Sequence, residues 1–219
     1  MTIAWSGGTV SGRWACPRHP SGRAVLLAHG TGAGQDHPGV TTIRDGLVAR
    51  GHPVLTFNYP YTEAGRRFPP DRRDVLLACH RAAAEWLRAR FPGIVMAGRS
   101  MGGRMASYLA AAGEPCSGLV LYAYPLHPAG KPDRLRADHL PVVGVPMLFF
   151  TGSRDALALP HLVDRWLAPL DRATIEIIPD ADHSFRVPKR SGRSFEQVME
   201  CMVARTSDWM SALVVDADW

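Results

Sequence analysis

Ile94-Val95-Met96-Ala97-Gly98-Arg99-Ser100-Met101-Gly102-Gly103 is the stretch from which the architecture is read. Its first four residues form a short apolar run of the kind that makes a buried strand, and a helix is expected over Met101–Ala112. Between the two lies Gly98-x-Ser100-x-Gly102. On a tight strand-to-helix turn a serine adopts a strained backbone conformation, and the residues two places away must lack side chains for the chain to pass. The hydroxyl then projects above the carboxyl ends of the strands, over the N–H groups and positive dipole end of the helix. A glycine-rich turn that merely packs a helix against a sheet is the alternative reading.

Outward from this turn, apolar runs of four to six residues alternate with stretches of helical period, the pattern of βαβ units around a parallel sheet. Strands are expected at Ala24–Ala28, Val54–Phe57, Ile94–Ala97, Gly118–Tyr122, Met147–Thr151 and Thr174–Ile178, with a weaker one at Thr9–Cys16. Helices are expected at Val40–Arg50, with Val40, Ile43 and Leu47 on one face, and at Asp71–Arg90, with Val75, Leu76, Cys79, Ala83, Trp86 and Leu87 along one stripe. A short helix follows at His161–Leu170. The last begins at Ser194, where Gln197 completes a capping box, and runs toward Leu213. The segment Ala123–Pro146 holds five prolines, leaving room for a loop and a short helix but not for a lid domain. The chain reads as a single domain over residues 1–219.

A serine hydroxyl needs a base within hydrogen-bond reach. Among nine histidines, His183 alone follows the last expected strand, on a loop that emerges at the same sheet edge as Ser100. The base needs an acceptor to fix its tautomer. Asp155, on the turn Gly152-Ser153-Arg154-Asp155 past the strand Met147–Thr151, is favoured for this role. Asp182 adjoins His183, where neighbouring side chains diverge, and Asp180 stands in reserve. The order Ser, Asp, His is the α/β-hydrolase order. Donors for a developing oxyanion are expected from the Met101 N–H and from His29-Gly30-Thr31-Gly32-Ala33-Gly34, where the Thr31 N–H is nominated and Gly32 is the alternate. That loop lacks the Gly-Lys-Ser/Thr ending of a P-loop, which sets aside phosphate cradling.

These residues resemble a known family. His29-Gly30-Thr31-Gly32, Gly98–Gly103, the Gly152–Asp155 turn and Ala181-Asp182-His183-Ser184-Phe185 look like the α/β-hydrolase superfamily, in its small lidless dienelactone-hydrolase-like branch. Tyr124-Pro125-Leu126-His127-Pro128 and Gly102-Gly103-Arg104 make the likeness closer to the hydrolase-like domain of a subunit of the NSL histone-acetyltransferase complex and its bacterial relatives. The resemblance implies a three-layer α/β/α sandwich with a mostly parallel sheet of about seven strands and no lid domain. It also implies Ser100, Asp155 and His183 as triad members. Dienelactone hydrolases proper carry cysteine where Ser100 stands, so dienelactone itself does not follow as substrate.

The expected activity is hydrolysis of a carboxylic ester or thioester through an acyl-enzyme; a catalytically silent interaction module on the same fold is the alternative. His29 and Gly32 in the glycine-rich loop, and Tyr124 and His127 after the fourth clear strand, are candidate substrate-pocket residues, with loop packing as the competing reading. Arg99 is expected in a buried ion pair. No metal or organic cofactor is implied.

Composition sets the remaining bounds. With 219 residues, 46% hydrophobic and 21% charged, the chain is long enough for a sizeable core and is not globally disordered. The net charge of +5 comes from arginine, since Lys131 and Lys189 are the only lysines. No basic run interleaved with aromatics suggests a nucleic-acid partner. The longest apolar stretch, Val142–Phe150, is broken by Gly144 and Pro146, and no secretory signal is visible, so a cytoplasmic protein without membrane partners is expected. Its partner is a small-molecule ester or thioester, its state monomer or homodimer. Cys16, Cys79, Cys116 and Cys201 form no Cys-x-x-Cys pair and read as small buried hydrophobes rather than a zinc or redox site.

Overall fold

The computed structural model of the chain describes residues 1–20 and 22–213. Its strands are β1 (Thr2–Trp5), β2 (Gly8–Ala15), β3 (Val25–Ala28), β4 (Val54–Phe57), β5 (Val95–Arg99), β6 (Gly118–Tyr122), β7 (Met147–Gly152) and β8 (Ala173–Ile178). All eight join one sheet in the order β1-β2-β4-β3-β5-β6-β7-β8. β2 pairs antiparallel with β1 and β4, and every pairing from β4 onward is parallel. The count is eight rather than about seven because Thr2-Ile3-Ala4-Trp5 is also a strand. That tetrapeptide buries only Ile3, too little alternation to be read from sequence.

The helices are α1 (Pro38–Ala49), α2 (Pro60–Glu63), α3 (Arg73–Arg88), α4 (Met101–Ala111), α5 (Pro160–Trp166) and α6 (Phe195–Ala212). Alternation along the strands sends successive side chains to opposite faces, and each face has its own helices. Leu26, Leu55, Met96, Leu119 and Leu121 meet Leu76, Cys79, Ala83 and Leu87 of α3 and Met105 and Leu109 of α4. Val25, Leu27, Val54, Val95, Ala97 and Val120 meet Val40, Ile43 and Leu47 of α1 and Val198, Met202, Val203 and Met210 of α6. This is a three-layer α/β/α sandwich. The Ser194–Gln197 capping box is present at the start of α6, with both reciprocal bonds made. Between β6 and β7 the chain forms only a short 3-10 turn at Leu140–Val142.

Parallel register brings one edge of the sheet level. Ala28 pairs with Gly98, Gly98 with Leu121, and Gly152 with Ile178. The loops after β3, β5, β7 and β8 therefore leave side by side. Cys16 and Cys201 are exposed, against expectation, whereas Cys79 and Cys116 are buried. Among the described residues no helix is long and apolar enough to cross a membrane.

Two histidines, His29 and His80, have no exposed surface in this framework. Burial lowers His29 to about 4 and His80 to about 3. In the unfolded chain both bind protons near pH 6.5. Between those limits the unfolded state holds the extra protons, so their contribution to stability is complete above about pH 6.5 and is lost as pH falls toward the folded values. Each steepens the dependence by on the order of 1 kcal/mol per pH unit. Thermal melts from pH 7 to 4 are expected to show a steadily falling Tm, with a shallower slope in His80→Leu. An unchanged slope in that variant removes His80 from the account.

Candidate active site

The turn after β5 is held in an unusual conformation. Ser100 has φ 50° and ψ −113°, a region costing a non-glycine residue on the order of 1–3 kcal/mol. Its N–H donates to the Tyr122 carbonyl at 2.8 Å, anchoring the turn to β6. The flanking glycines are steric necessities. A Cβ on Gly98 would lie 2.3 Å from the Gly103 nitrogen, and one on Gly102 would lie 2.5 Å from the Ala28 carbonyl oxygen. The second contact docks the elbow on the end of β3, where the glycine-rich loop begins.

The structure brings Ser100, His183 and Asp155 together from residues far apart in the chain. His183 Nε2 is 3.0 Å from Ser100 Oγ. His183 Nδ1 lies 2.9 and 2.8 Å from the two Asp155 carboxylate oxygens. Asp155 is buried and also accepts the Leu157 N–H at 2.8 Å. The ring's Nδ1 therefore carries a proton toward Asp155, leaving Nε2 as the acceptor facing the serine hydroxyl. The other two candidate acids are occupied elsewhere. Asp182 Oδ1 accepts the N–H groups of Ser184 and Arg186 at 2.8 and 3.0 Å, shaping the loop that carries His183. The Asp180 N–H donates to Ser153 Oγ, and its carboxylate sits 3.8 Å from Arg190 at the surface.

The loops bearing Asp155 and His183 are clamped by contacts that the sequence did not signal. Arg154 N–H donates to the Ala181 carbonyl at 2.9 Å and Ser153 N–H to that of Ile178 at 3.0 Å. A Cβ on Gly152 would fall 2.2 Å from the Ala181 oxygen. Gly152→Ala is thus expected to push the two loops apart, costing about 1–3 kcal/mol of stability. Loss of the short His183–Asp155 contact would appear as loss of the downfield Nδ1 proton resonance in NMR. A variant with native stability and an intact resonance contradicts this account.

The two segments nominated for oxyanion donors both adjoin Ser100. Met101 opens α4, so its N–H has no intrahelical acceptor. Gly30 packs against the nucleophile turn, its Cβ position 3.3 Å from the Arg99 oxygen and 3.4 Å from Ser100 Cβ, which sets Thr31 beside the serine. The Thr31 hydroxyl donates to the Met101 sulfur at 3.2 Å and ties the two segments together. Gly32 borders open space at φ 75°.

The other pocket candidates are placed differently. His29 is fully buried; its Nε2 accepts the Tyr59 N–H at 3.2 Å and its Nδ1 donates to the Gly30 carbonyl at 2.9 Å. It orders the loop and presents no surface to solvent. Tyr124 is fully buried with its hydroxyl donating to the Arg136 carbonyl at 2.7 Å. His127 is 2% exposed and its Nδ1 donates to the Pro128 carbonyl at 2.8 Å. Both lie in the packed loop after β6, which contacts α4 through His139 Nε2 and Ser107 Oγ at 2.8 Å, and whose His127 N–H donates to the Leu157 carbonyl at 3.3 Å. Arg99 forms no ion pair among the described residues; its Nη2 donates to the His183 carbonyl at 3.4 Å. Among the described residues, no group of three or more His, Cys, Asp or Glu side chains is arranged to hold a metal ion.

A mostly parallel sheet sandwiched by helices, with a strained serine after its central strand and an acid and a histidine on the loops beyond, is the architecture of an α/β hydrolase. The chain belongs to the α/β-hydrolase domain family, whose model matches residues 21–211. Among solved structures it is similar to an α/β serine hydrolase without a lid from Xanthomonas campestris, at 24% identity over 97% of this chain and 94% of that one, TM-score 0.73. It is also similar to a dienelactone hydrolase from Anabaena variabilis, at 22% identity over 98% and 97% of the chains, TM-score 0.77. Est1E from Butyrivibrio proteoclasticus, in a structure with ferulic acid bound, matches at 14% identity over 97% and 98%, TM-score 0.79. At these identities the likeness is one of fold.

Proposed function

We propose that the protein is a serine hydrolase that cleaves carboxylic esters or thioesters of small molecules through an acyl-enzyme. The observation that carries this reading is the pair of contacts of His183, Nε2 to Ser100 Oγ at 3.0 Å and Nδ1 to the Asp155 carboxylate at 2.8 Å. In the first half-reaction His183 Nε2 takes the Ser100 proton as Oγ bonds to the substrate carbonyl carbon. The carbonyl oxygen gains the charge and is held by the Met101 and Thr31 N–H groups. Collapse of this intermediate breaks the bond to the alcohol or thiol, which leaves with the proton returned by His183. Water, deprotonated by the same nitrogen, then attacks the acyl carbon and releases a carboxylate with Ser100 restored. Asp155 steadies the imidazolium throughout.

Support also comes from the openness of the site, since the His183 side chain is 26% exposed and the segment between β6 and β7 carries no lid. An open site suits short acyl groups or an ester on a larger molecule. The narrower likeness to the NSL-subunit domain rests on Tyr124–Pro128 and Gly102-Gly103-Arg104, whose Tyr124 and His127 are packing residues here. A panel of p-nitrophenyl esters and acyl thioesters of increasing length, with a fluorophosphonate probe alongside, tests the proposal. Turnover of the short members and covalent labelling at Ser100 are expected. The absence of both turnover and labelling would overturn it in favour of a silent module.

A further inference from the structure

Between the start of α1, the loop that follows His183 and the first turns of α6 lies a cavity of about 450 Å³, within the roughly 300–1,000 Å³ range of small-molecule sites. Ser100, Asp155 and His183 are not among its lining residues. Its polar wall carries two guanidinium groups, Arg99 and Arg186, and the imidazole of His37. Its apolar wall includes Ile43, Phe185 and Met199.

Neither guanidinium on this wall has an ion-pair partner within 4.0 Å among the described residues. No carboxylate lies within 4.0 Å of the Arg99 guanidinium among the described residues, and its only hydrogen bond there is the 3.4 Å contact to the His183 carbonyl. Burial, with Arg186 adding to it, lowers the Arg99 pKa, while Asp182 and Asp155 oppose the shift from a distance. Those two carboxylates are committed, Asp182 to backbone N–H groups of its own loop and Asp155 to His183 and Leu157. His37, neutral or cationic according to its protonation state, is no counter-charge, and its Nδ1 accepts the Gly39 N–H as the cap of α1. Burial, then Arg99, Arg186 and Arg67, lower its pKa, so the ring stays neutral. A guanidinium withdrawn from water beside a second one is costly unless an anion joins it, and the guanidinium fork matches a carboxylate.

We propose that this cavity is a second ligand site, separate from the ester site, that takes a small carboxylate with a short apolar tail. The headgroup lies against Arg99 and Arg186, and the tail covers Ile43, Phe185 and Met199. A ligand seated there touches the loop running on from His183 without reaching Ser100 Oγ. The inference goes beyond the esterase reading and does not need turnover, so the two fail separately.

Titration calorimetry with hexanoate, with hexanamide as the neutral control and inorganic phosphate as the tail-less one, tests it. One saturable hexanoate site per chain is expected, with hexanamide and phosphate each weaker by roughly tenfold or more, the loss of a charge-assisted pair or of tail burial. Arg186→Gln, at an exposed position, is expected to weaken hexanoate by about tenfold and leave hexanamide unchanged. Arg99→Gln acts in the same direction, and the Arg186 variant keeps the test open if the elbow does not tolerate it. In methyl NMR the Ile43 and Met199 resonances should move during the titration, while that of Met101, beside Ser100, stays in place. Hexanoate binding no tighter than hexanamide, or indifferent to Arg186→Gln, overturns the proposal. So does movement of Met101 with Met199 unmoved, which would put the anion in the ester site.

Discussion

Ser100→Ala is expected to lower p-nitrophenyl acetate turnover by roughly 10⁴-fold or more while the protein stays folded with a Tm within a few degrees of the parent. The substitution removes a single atom. Alanine keeps the Cβ and so keeps the same backbone at φ 50° and ψ −113°, and the N–H bond to the Tyr122 carbonyl at 2.8 Å survives. The fold therefore carries the same strain in both proteins, and only the group 3.0 Å from His183 Nε2 is lost. What remains is a base and two backbone donors, which can still polarise a bound ester and activate water, leaving on the order of 10³-fold over the uncatalysed rate. Steady-state kinetics, with a melt on the same samples, reads both halves of the expectation. Turnover equal to that of the parent would remove Ser100 from the mechanism. An unfolded variant would instead refute the claim that the turn is held by its backbone alone.

Asp155→Asn is expected to lower kcat by about 10⁴-fold with little change in KM. The magnitude follows from where the hydrogen bonds go. Asp155 Oδ1 accepts both the Leu157 N–H at 2.8 Å and the His183 Nδ1 proton at 2.9 Å, with Oδ2 at 2.8 Å from the same nitrogen. In asparagine the carbonyl oxygen is retained by the Leu157 N–H, which turns the amide NH₂ toward Nδ1. Nδ1 must then accept, and the ring's proton moves to Nε2. A protonated Nε2 facing Ser100 Oγ cannot take the serine's proton, although every heavy atom stays in place. Kinetics at pH 7.5, with the ring tautomer read by nitrogen-15 NMR, tests both statements. A loss below tenfold would mean that the carboxylate is not what orients this imidazole.

Much of the framework was legible because burial on both faces of a parallel sheet leaves its mark in the chain. Val54–Phe57 and Gly118–Tyr122 have the ends expected of them, since each is a short apolar run closed by turn residues. β1 left no such mark, because an edge strand with one buried residue has no alternation to read. The Ser194–Gln197 cap was legible because both of its hydrogen bonds are made between residues three apart. Position along the chain also singles out His183, and favours Asp155 over Asp182 because the side chains of adjacent residues such as Asp182 and His183 diverge.

Other features hid from such reading. Tyr124 and His29 carry polar atoms that suit a pocket, yet both are buried and satisfied by backbone partners. The identity of those partners depends on how distant loops pack. Arg99 looked like half of an ion pair, and its wall of the cavity turned out to hold no acid. In the sequence Gly152 reads only as part of a turn, although the Ala181 carbonyl leaves no room there for a methyl group.

Taken alone, the chain determined the order of the strands from β2 onward and of the longer helices, the glycine-flanked serine turn and the loops that carry the acid and the histidine. Those are matters of local conformation and of period, which neighbouring residues settle between themselves. Tertiary structure decided that the imidazole reaches both partners at hydrogen-bond distance, that His29, Tyr124 and His127 are buried in packing, and that a cavity with two guanidinium groups opens beside the His183 loop. Each of these depends on contacts between segments tens of residues apart, where a shift of one ångström makes or breaks a hydrogen bond, and no local pattern encodes a distance of that kind.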